Sequence, residues 1–208
     1  MERMKEHPDH WEVPYLPIDP KDVGRTYAPI VRINSQSGKG GVAFVLEQNY
    51  GLYLPKAFQQ DFSYVVTGYS DHKHKDVAPN VIREIFYENY VDLRTPISIE
   101  SYREVSNENG GVAVEAQILD HGQAMTIYGK GNGVIDAFAH ALEVALDMKF
   151  EIVDYREHSL EYGKKARAIS YVQISDNQGH IAFGAGTSSN IIKSSLRAVV
   201  SAVNKIAK

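Results

Sequence analysis

The chain has 208 residues, a formal charge of −4 and a pI near 6.1, which argues against a general nucleic-acid grip, because that needs a basic surface to neutralise phosphates. It contains no cysteine, so disulfides, thiolate catalysis and Cys-based zinc sites are excluded, and a reducing, cytoplasmic setting is expected. Its composition, 43% hydrophobic and 23% charged, is that of a soluble globular chain, with no apolar run of the ~18–20 residues that span a bilayer and no apolar signal core in MERMKEHPDHW.

Five of the eight prolines fall in the first thirty residues, at Pro8, Pro14, Pro17, Pro20 and Pro29. Proline fixes φ, removes a donor and pushes the preceding residue towards extended geometry. Residues 1–29 are therefore expected as an extended arm. Trp11, Val13, Tyr15, Leu16 and Ile18 would anchor it, either on another surface or on its own domain. Its abrupt, charged start suggests a chain cut from something longer.

Residues 30–95 follow as a small mixed α/β subdomain. Residues 30–33 and 42–46 are strand candidates separated by NSQSGKGG, in which Gly40-Gly41 signals a tight turn. The SGKGG run lacks the spacing of a phosphate loop and is expected to lead into a strand, so no nucleotide site is assigned to it. Residues 55–66 have helical spacing, with Phe58, Phe62 and Val65 on one face and Pro55 near the start. Residues 71–76 (DHKHKD) are expected as a polar loop. His72 and His74 form an H-x-H pair there, but the charged setting favours a solvated turn over a metal site. A second helix is expected over residues 79–91, with Val81, Ile82, Ile85, Phe86 and Tyr90 apolar.

From residue 96 the sequence repeats itself. SYREVS (101–106) and DYREHS (154–159) each open a run of three strand candidates, then a Gly-x-Gly, then an amphipathic helix. The strands are expected near 97–105, 112–119 and 124–128, and again near 150–158, 166–174 and 180–183. The glycine pairs are Gly129/Gly131 and Gly184/Gly186. Ile135, Phe138, Leu142, Ala145 and Leu146 share one face of the first helix; Ile192, Leu196, Val199, Val200 and Val203 share one face of the second. Small residues punctuate both helices and would let them lie close to a sheet. The predicted class is α+β: a pseudo-twofold domain of two βββα units, about 96–149 and 150–208, sharing one core. Excess apolar faces on these units point to a homodimer.

A Gly-x-Gly before a helix exposes backbone N–H groups at the positive end of the helix dipole, which suits a carboxylate. Ile135, Ile152, Tyr155 and Ala166 would supply apolar or aromatic walls nearby. A carboxylate at a helix start beside an apolar slot fits a branched amino acid, although most such glycines only turn the chain. Glu104 and Glu157 are repeat-related carboxylates; each stands beside an arginine, Arg103 or Arg156, and a structural ion pair or a strand-face charge is favoured over acid/base catalysis.

Residues 11–27 (WEVPYLPIDPKDVGRTY) and 32–44 (RINSQSGKGGVAF) resemble the linker region of 2-isopropylmalate synthases. Residues 129–138 (GKGNGVIDAF), 154–159 (DYREHS) and 184–200 (GAGTSSNIIKSSLRAVV) resemble their regulatory domain. The resemblance implies an acyltransferase that condenses acetyl-CoA with 2-oxoisovalerate in leucine biosynthesis. Its catalytic barrel, with a divalent metal, would need about 250 residues and is not in this chain. It also implies that this chain alone is inactive and holds no metal or cofactor, and that its partners are L-leucine, a second copy and the barrel, not nucleic acid or membrane. By position, the resemblance assigns leucine to Gly129, Gly131, Asn132, Ile135, Asp136, Ile152, Tyr155, Ser159, Ala166 and Thr187. It lets Tyr15 reach towards the partner's active site. Asp136 departs from the small residue often found there; it would repel a carboxylate and attract an ammonium. An isoleucine-sensing relative of the citramalate synthase type, or a ligand-free dimerisation scaffold, are the alternatives.

Overall fold

The computed structural model describes residues 39–73, 77–106, 111–161, 163 and 166–207, all within one compact unit that spans residues 32–208. The proline-rich arm, Tyr15, the strand candidate at 30–33 and His74 lie outside the described residues, as do residues 74–76 of the expected loop.

Helix α1 is Lys39–Tyr50. It replaces the strand expected at 42–46. A strand would bury alternate residues, yet Val42, Val45 and Leu46 are buried while Phe44 between them is 47% exposed. That is the i, i+3, i+4 pattern of a helix, which a five-residue apolar run cannot reveal by itself. Gly40 and Gly41 belong to its first turn, and SGKGG thus leads into a helix. Helix α2, Lys56–Lys73, runs past the expected end and takes in the first part of the polar loop. Its buried face uses Val66 rather than Val65 beside Phe58 and Phe62. Helix α3, Pro79–Tyr90, starts on proline, whose missing N–H costs nothing at a first turn, and buries Ile82, Ile85, Phe86 and Tyr90.

Two antiparallel three-stranded sheets follow, in order β1-β2-β3 and β4-β5-β6. Strands β1 (Ile97–Ser106), β2 (Val112–Asp120) and β3 (Gln123–Gly131) precede helix α4, Val134–Ala145. Strands β4 (Phe150–Ser159), β5 (Ala168–Asp176) and β6 (Ile181–Ser188) precede helix α5, Ile191–Val203. His121 and Gly122, both at positive φ, close the β2–β3 hairpin, the geometry that a two-residue turn demands. Asn190 caps α5 by accepting from the Lys193 N–H. The two units share one apolar core in which Ile118, Phe138 and Leu142 meet Ile174, Leu196 and Val199. The expected α+β class and the two βββα units are thus present.

Both glycine pairs lie inside strands β3 and β6, not in a turn before the helix. A Cβ on Gly129 would collide with the Ala137 carbonyl oxygen, and one on Gly186 with the Ser194 carbonyl oxygen. These glycines seat a helix on its strand by close backbone approach. The pairing registers also correct the sequence alignment of the pairs. Ser106 faces Val112 and Val114 faces Gly129; Ser159 faces Ala168 and Ser170 faces Gly186. Gly129 is therefore the counterpart of Gly186, and the apparent match of Gly129 with Gly184 is two residues out of step.

The outer face of the second sheet is covered by the helical segment. Phe58 packs on Tyr171 and Phe183 with ring centroids 6.0 and 4.9 Å apart. Asn204, at the end of α5, ties in the α3–β1 connection: its Oδ1 accepts from the Ile97 N–H, and its Nδ2 donates to the Leu93 and Ile97 carbonyls.

Candidate functional site

The residues expected around a ligand fall into three groups. The first is the start of α4. No side chain caps this helix at Gly133, but Asp136 in its first turn accepts the Asn132 N–H at 2.8 Å. A carboxylate at that end complements the helix dipole. His140 lies one turn on, its Nδ1 3.5 Å from Asp136 and 3.1 Å from the Lys130 carbonyl. Asn132 is exposed, and Ile135 is half-buried against the shared core.

The second group is strand β4 and the start of β5. Ile152 and Tyr155 border the same core as Ile135. The Tyr155 hydroxyl meets the Ser195 hydroxyl at 2.7 Å and donates to Glu157. Burial, reinforced by that carboxylate, pushes the Tyr155 phenol above its ordinary pKa, so it stays a donor. Ser159 donates to the Glu161 carbonyl at 2.6 Å, and the Ala166 N–H donates to the Gly163 carbonyl. The third group is Thr187 alone. Its N–H and hydroxyl both donate to Asp92, at 3.1 and 2.6 Å, so its polar atoms are already committed.

Of the two roles expected for the repeat glutamates, the ion pair with the neighbouring arginine does not form, while Glu104 is an exposed strand-face charge. Arg103 pairs with Glu115 across the β1–β2 ladder at 2.7 Å, and Arg156 lies 3.6 Å from Asp154. Arg103 and Glu115 are directly opposite in register, whereas adjacent strand residues point to opposite faces. Glu157 instead receives Tyr155, and Glu104 is exposed. Among the described residues no group of three His, Asp or Glu side chains is arranged to hold a metal, and no helix is long and apolar enough to cross a membrane.

Sequence reading missed a buried polar cluster beneath Tyr155. Ser170 bonds to Ser194 at 2.8 Å and to Ser195 at 3.2 Å, and all three serines are essentially buried. Ser194 and Ser195 were legible only as small residues on a helix. By register and helix seating, their counterparts in the first unit are Ala137 and Phe138, and that of Ser170 is Val114. The first unit is apolar where the second is hydroxylic. Only in the second is the repeat tyrosine (Tyr155, against Tyr102) held by a polar floor, which fixes its ring from below.

The chain is similar to known families and proteins. Residues 76–207 match the LeuA allosteric (dimerisation) domain, and residues 1–47 match the alpha-isopropylmalate synthase post-catalytic domain-like family. Neither description is of a catalytic domain. A 2-isopropylmalate synthase of Acetoanaerobium sticklandii is 51% identical over 99% of this chain and 37% of its own length. Those of Helicobacter hepaticus and Mesorhizobium japonicum are 43% and 46% identical, over 98% and 94% of this chain and 38% and 36% of their own lengths. The chain thus spans little more than a third of the relatives it matches.

Proposed function

Because the chain belongs to the LeuA allosteric (dimerisation) domain family, we propose that it is the regulatory part of a 2-isopropylmalate synthase and that it binds L-leucine to inhibit that enzyme by feedback. The observation that carries this reading is the family match over residues 76–207, which covers both βββα units. The start of α4 offers the positive end of a helix dipole to the ligand's carboxylate. Asp136 offers its carboxylate to the ligand's ammonium. Ile135, Ile152 and the braced ring of Tyr155 form the apolar wall for the side chain.

Binding would be micromolar to millimolar, roughly 4–8 kcal/mol. Only the part of that energy that differs between active and inhibited states can be transmitted. The domain division proposed is an arm (1–29), a linker subdomain (30–95) and the regulatory domain (96–208), so the signal would leave through the linker towards the catalytic barrel.

Titration calorimetry with L-leucine tests the reading. Saturable heat is expected, weakened at least tenfold by Tyr155→Ala. Absence of both heat and a thermal shift at several millimolar leucine would sink it. Tighter binding of L-isoleucine would instead mark the citramalate synthase type. The glycine pairs favour a second reading, a ligand-free scaffold, since their evident work is to seat helices. Under that reading Tyr155→Ala changes stability but no ligand response.

A further inference from the structure

A cleft of about 610 Å3 lies away from the residues discussed above, between α2, the β5–β6 hairpin and the end of α5. Asp61, Asp176, Gln178, His180, Phe183 and Lys205 are among the residues that line it, with Ile181 and Ile206 adding apolar wall. The volume is within the range of small-molecule clefts, ~300–1,000 Å3.

Its charges are arranged in an unusual way. The Lys205 ammonium lies over the Tyr90 ring, 3.3 Å from the centroid, and forms no ion pair among the described residues. Asp61 also lines the cleft; its Oδ2 accepts from the Tyr90 hydroxyl at 2.6 Å, and among the described residues no hydrogen bond reaches its Oδ1. One tyrosine therefore positions a cation on its face and a carboxylate at its tip, held apart beyond ion-pair distance. Desolvation pushes the Lys205 ammonium down to about 8 although the Asp61 carboxylate partly offsets it, so a closer counter-charge would be favoured there. The other carboxylate of the cleft, Asp176, is already saturated: the Gln178 and His180 N–H groups and His180 Nδ1 all bind it at 2.8 Å.

An ammonium beyond ion-pair distance of any described carboxylate, a carboxylate with one oxygen engaged and an apolar wall in one cleft complement a molecule with the opposite layout. We propose that this cleft binds the zwitterion of an apolar α-amino acid, its carboxylate on Lys205, its ammonium on Asp61 and its side chain against Ile181, Phe183 and Ile206. The site is separate from the one assigned above and does not depend on it. Because it joins α2 to the second βββα unit, an occupant would fasten the helical segment to the regulatory fold.

The test uses the whole chain with its lysines 13C-dimethylated, which keeps their charge. The Lys205 resonance is assigned by its loss in Lys205→Arg. L-leucine, isovalerate (carboxylate alone) and isoamylamine (ammonium alone) are titrated separately. Leucine should move the resonance saturably, and each half-ligand should bind about tenfold or more weakly. Asp61→Asn should weaken leucine by a similar factor yet leave isovalerate equal or tighter, a pattern that misfolding cannot produce. The proposal is overturned if tens of millimolar leucine leave the resonance unmoved. It is equally overturned if isovalerate binds as well as leucine, since the cleft would then be a plain anion contact. Calorimetric heat without movement of Lys205 would retain the site at α4 and eliminate this one.

Discussion

Gly186 stands where α5 lies directly on β6, and backbone atoms fill the space a side chain would take. A Cβ there would collide with the Ser194 carbonyl oxygen and fall 2.5 Å from the Ala198 nitrogen. Neither atom can swing aside, so the helix must lift off the strand. Overpacking of a tight core costs ~1–3 kcal/mol, and Gly186→Ala should sit at the upper end. Gly68, in the interior of α2, has nothing within 4 Å of the same ideal position. Gly68→Ala should stabilise by about 0.5–1 kcal/mol through helix propensity alone. Urea midpoints of the two variants should therefore move in opposite directions. Equal midpoints would mean that the glycines of β6 have no seating role.

Among the elements, what the sequence made legible depended on how many residues stated the pattern. Helices α3, α4 and α5 each carry a dozen or so residues of 3.6-residue periodicity; the range expected for α3 lies close to the observed one, and the apolar faces expected for α4 and α5 fall on those helices. Helix α1 was read as a strand because five apolar residues cannot separate the two periods, and its two glycines mimic a turn. The glycine pairs were legible as motifs but not as strand residues, since register is set by pairing across β2 and β5 and not by local spacing. Strand β5 kept another signal: Ile169 and Tyr171 are apolar on the face opposite Val172 and Ile174, and both faces are buried. Its counterpart β2 has Ala113 and Glu115 at those places, so the helical segment that covers the second sheet has no matching pair of buried large apolar side chains to pack on there. Of the candidate site, its residue types were legible, but the serine floor of Tyr155 and the hold of Asp92 on Thr187 join residues far apart in sequence.

Asp92 shows how that long-range joint works. It sits at φ 52, and its N–H donates to the Ala185 carbonyl while its carboxylate takes both donors of Thr187. Arg197 completes the knot by donating to the Thr187 carbonyl at 2.7 Å. Asp92→Ala loses two charge-assisted bonds and places a methyl-bearing residue in the left-handed region, for an expected cost of about 2–4 kcal/mol. Asp92→Gly relieves the strain but not the bonds and should fall between Ala and the parent. If amide exchange at Ala185–Thr187 is unchanged in Asp92→Ala, the α3–β1 connection does not clamp β6.

At the scale of the whole molecule, the two units differ most in what closes their outer edge. In the second unit, Val91 bridges to Ala185 on the β6 edge, and the Leu93 N–H donates to the Ser201 hydroxyl. Ala185 and Ser201 are both fully buried as a result. By register and helix seating, their counterparts in the first unit are Tyr128 and Val144. Among the described residues no segment covers them: Tyr128 is 65% exposed and Val144 77%, with Val105 beside them at 47%. These residues flank a mostly apolar hollow of about 440 Å3 that also includes Ala113, Lys130 and His140. Large apolar side chains placed where the sister unit is sealed mark a surface that expects a cover. The chain's family, an allosteric (dimerisation) domain, points to a second copy as the expected occupant, whose twofold axis would bury the same patch twice. Tyr128→Glu should therefore raise the dimer dissociation constant at least tenfold in sedimentation, with unchanged far-UV circular dichroism. Val153→Glu, at a 56% exposed position on β4, serves as the control and should leave the dimer intact. A Tyr128→Glu chain that dimerises as tightly as the parent would place the interface elsewhere, and a parent that is monomeric at micromolar concentration would remove the dimer altogether.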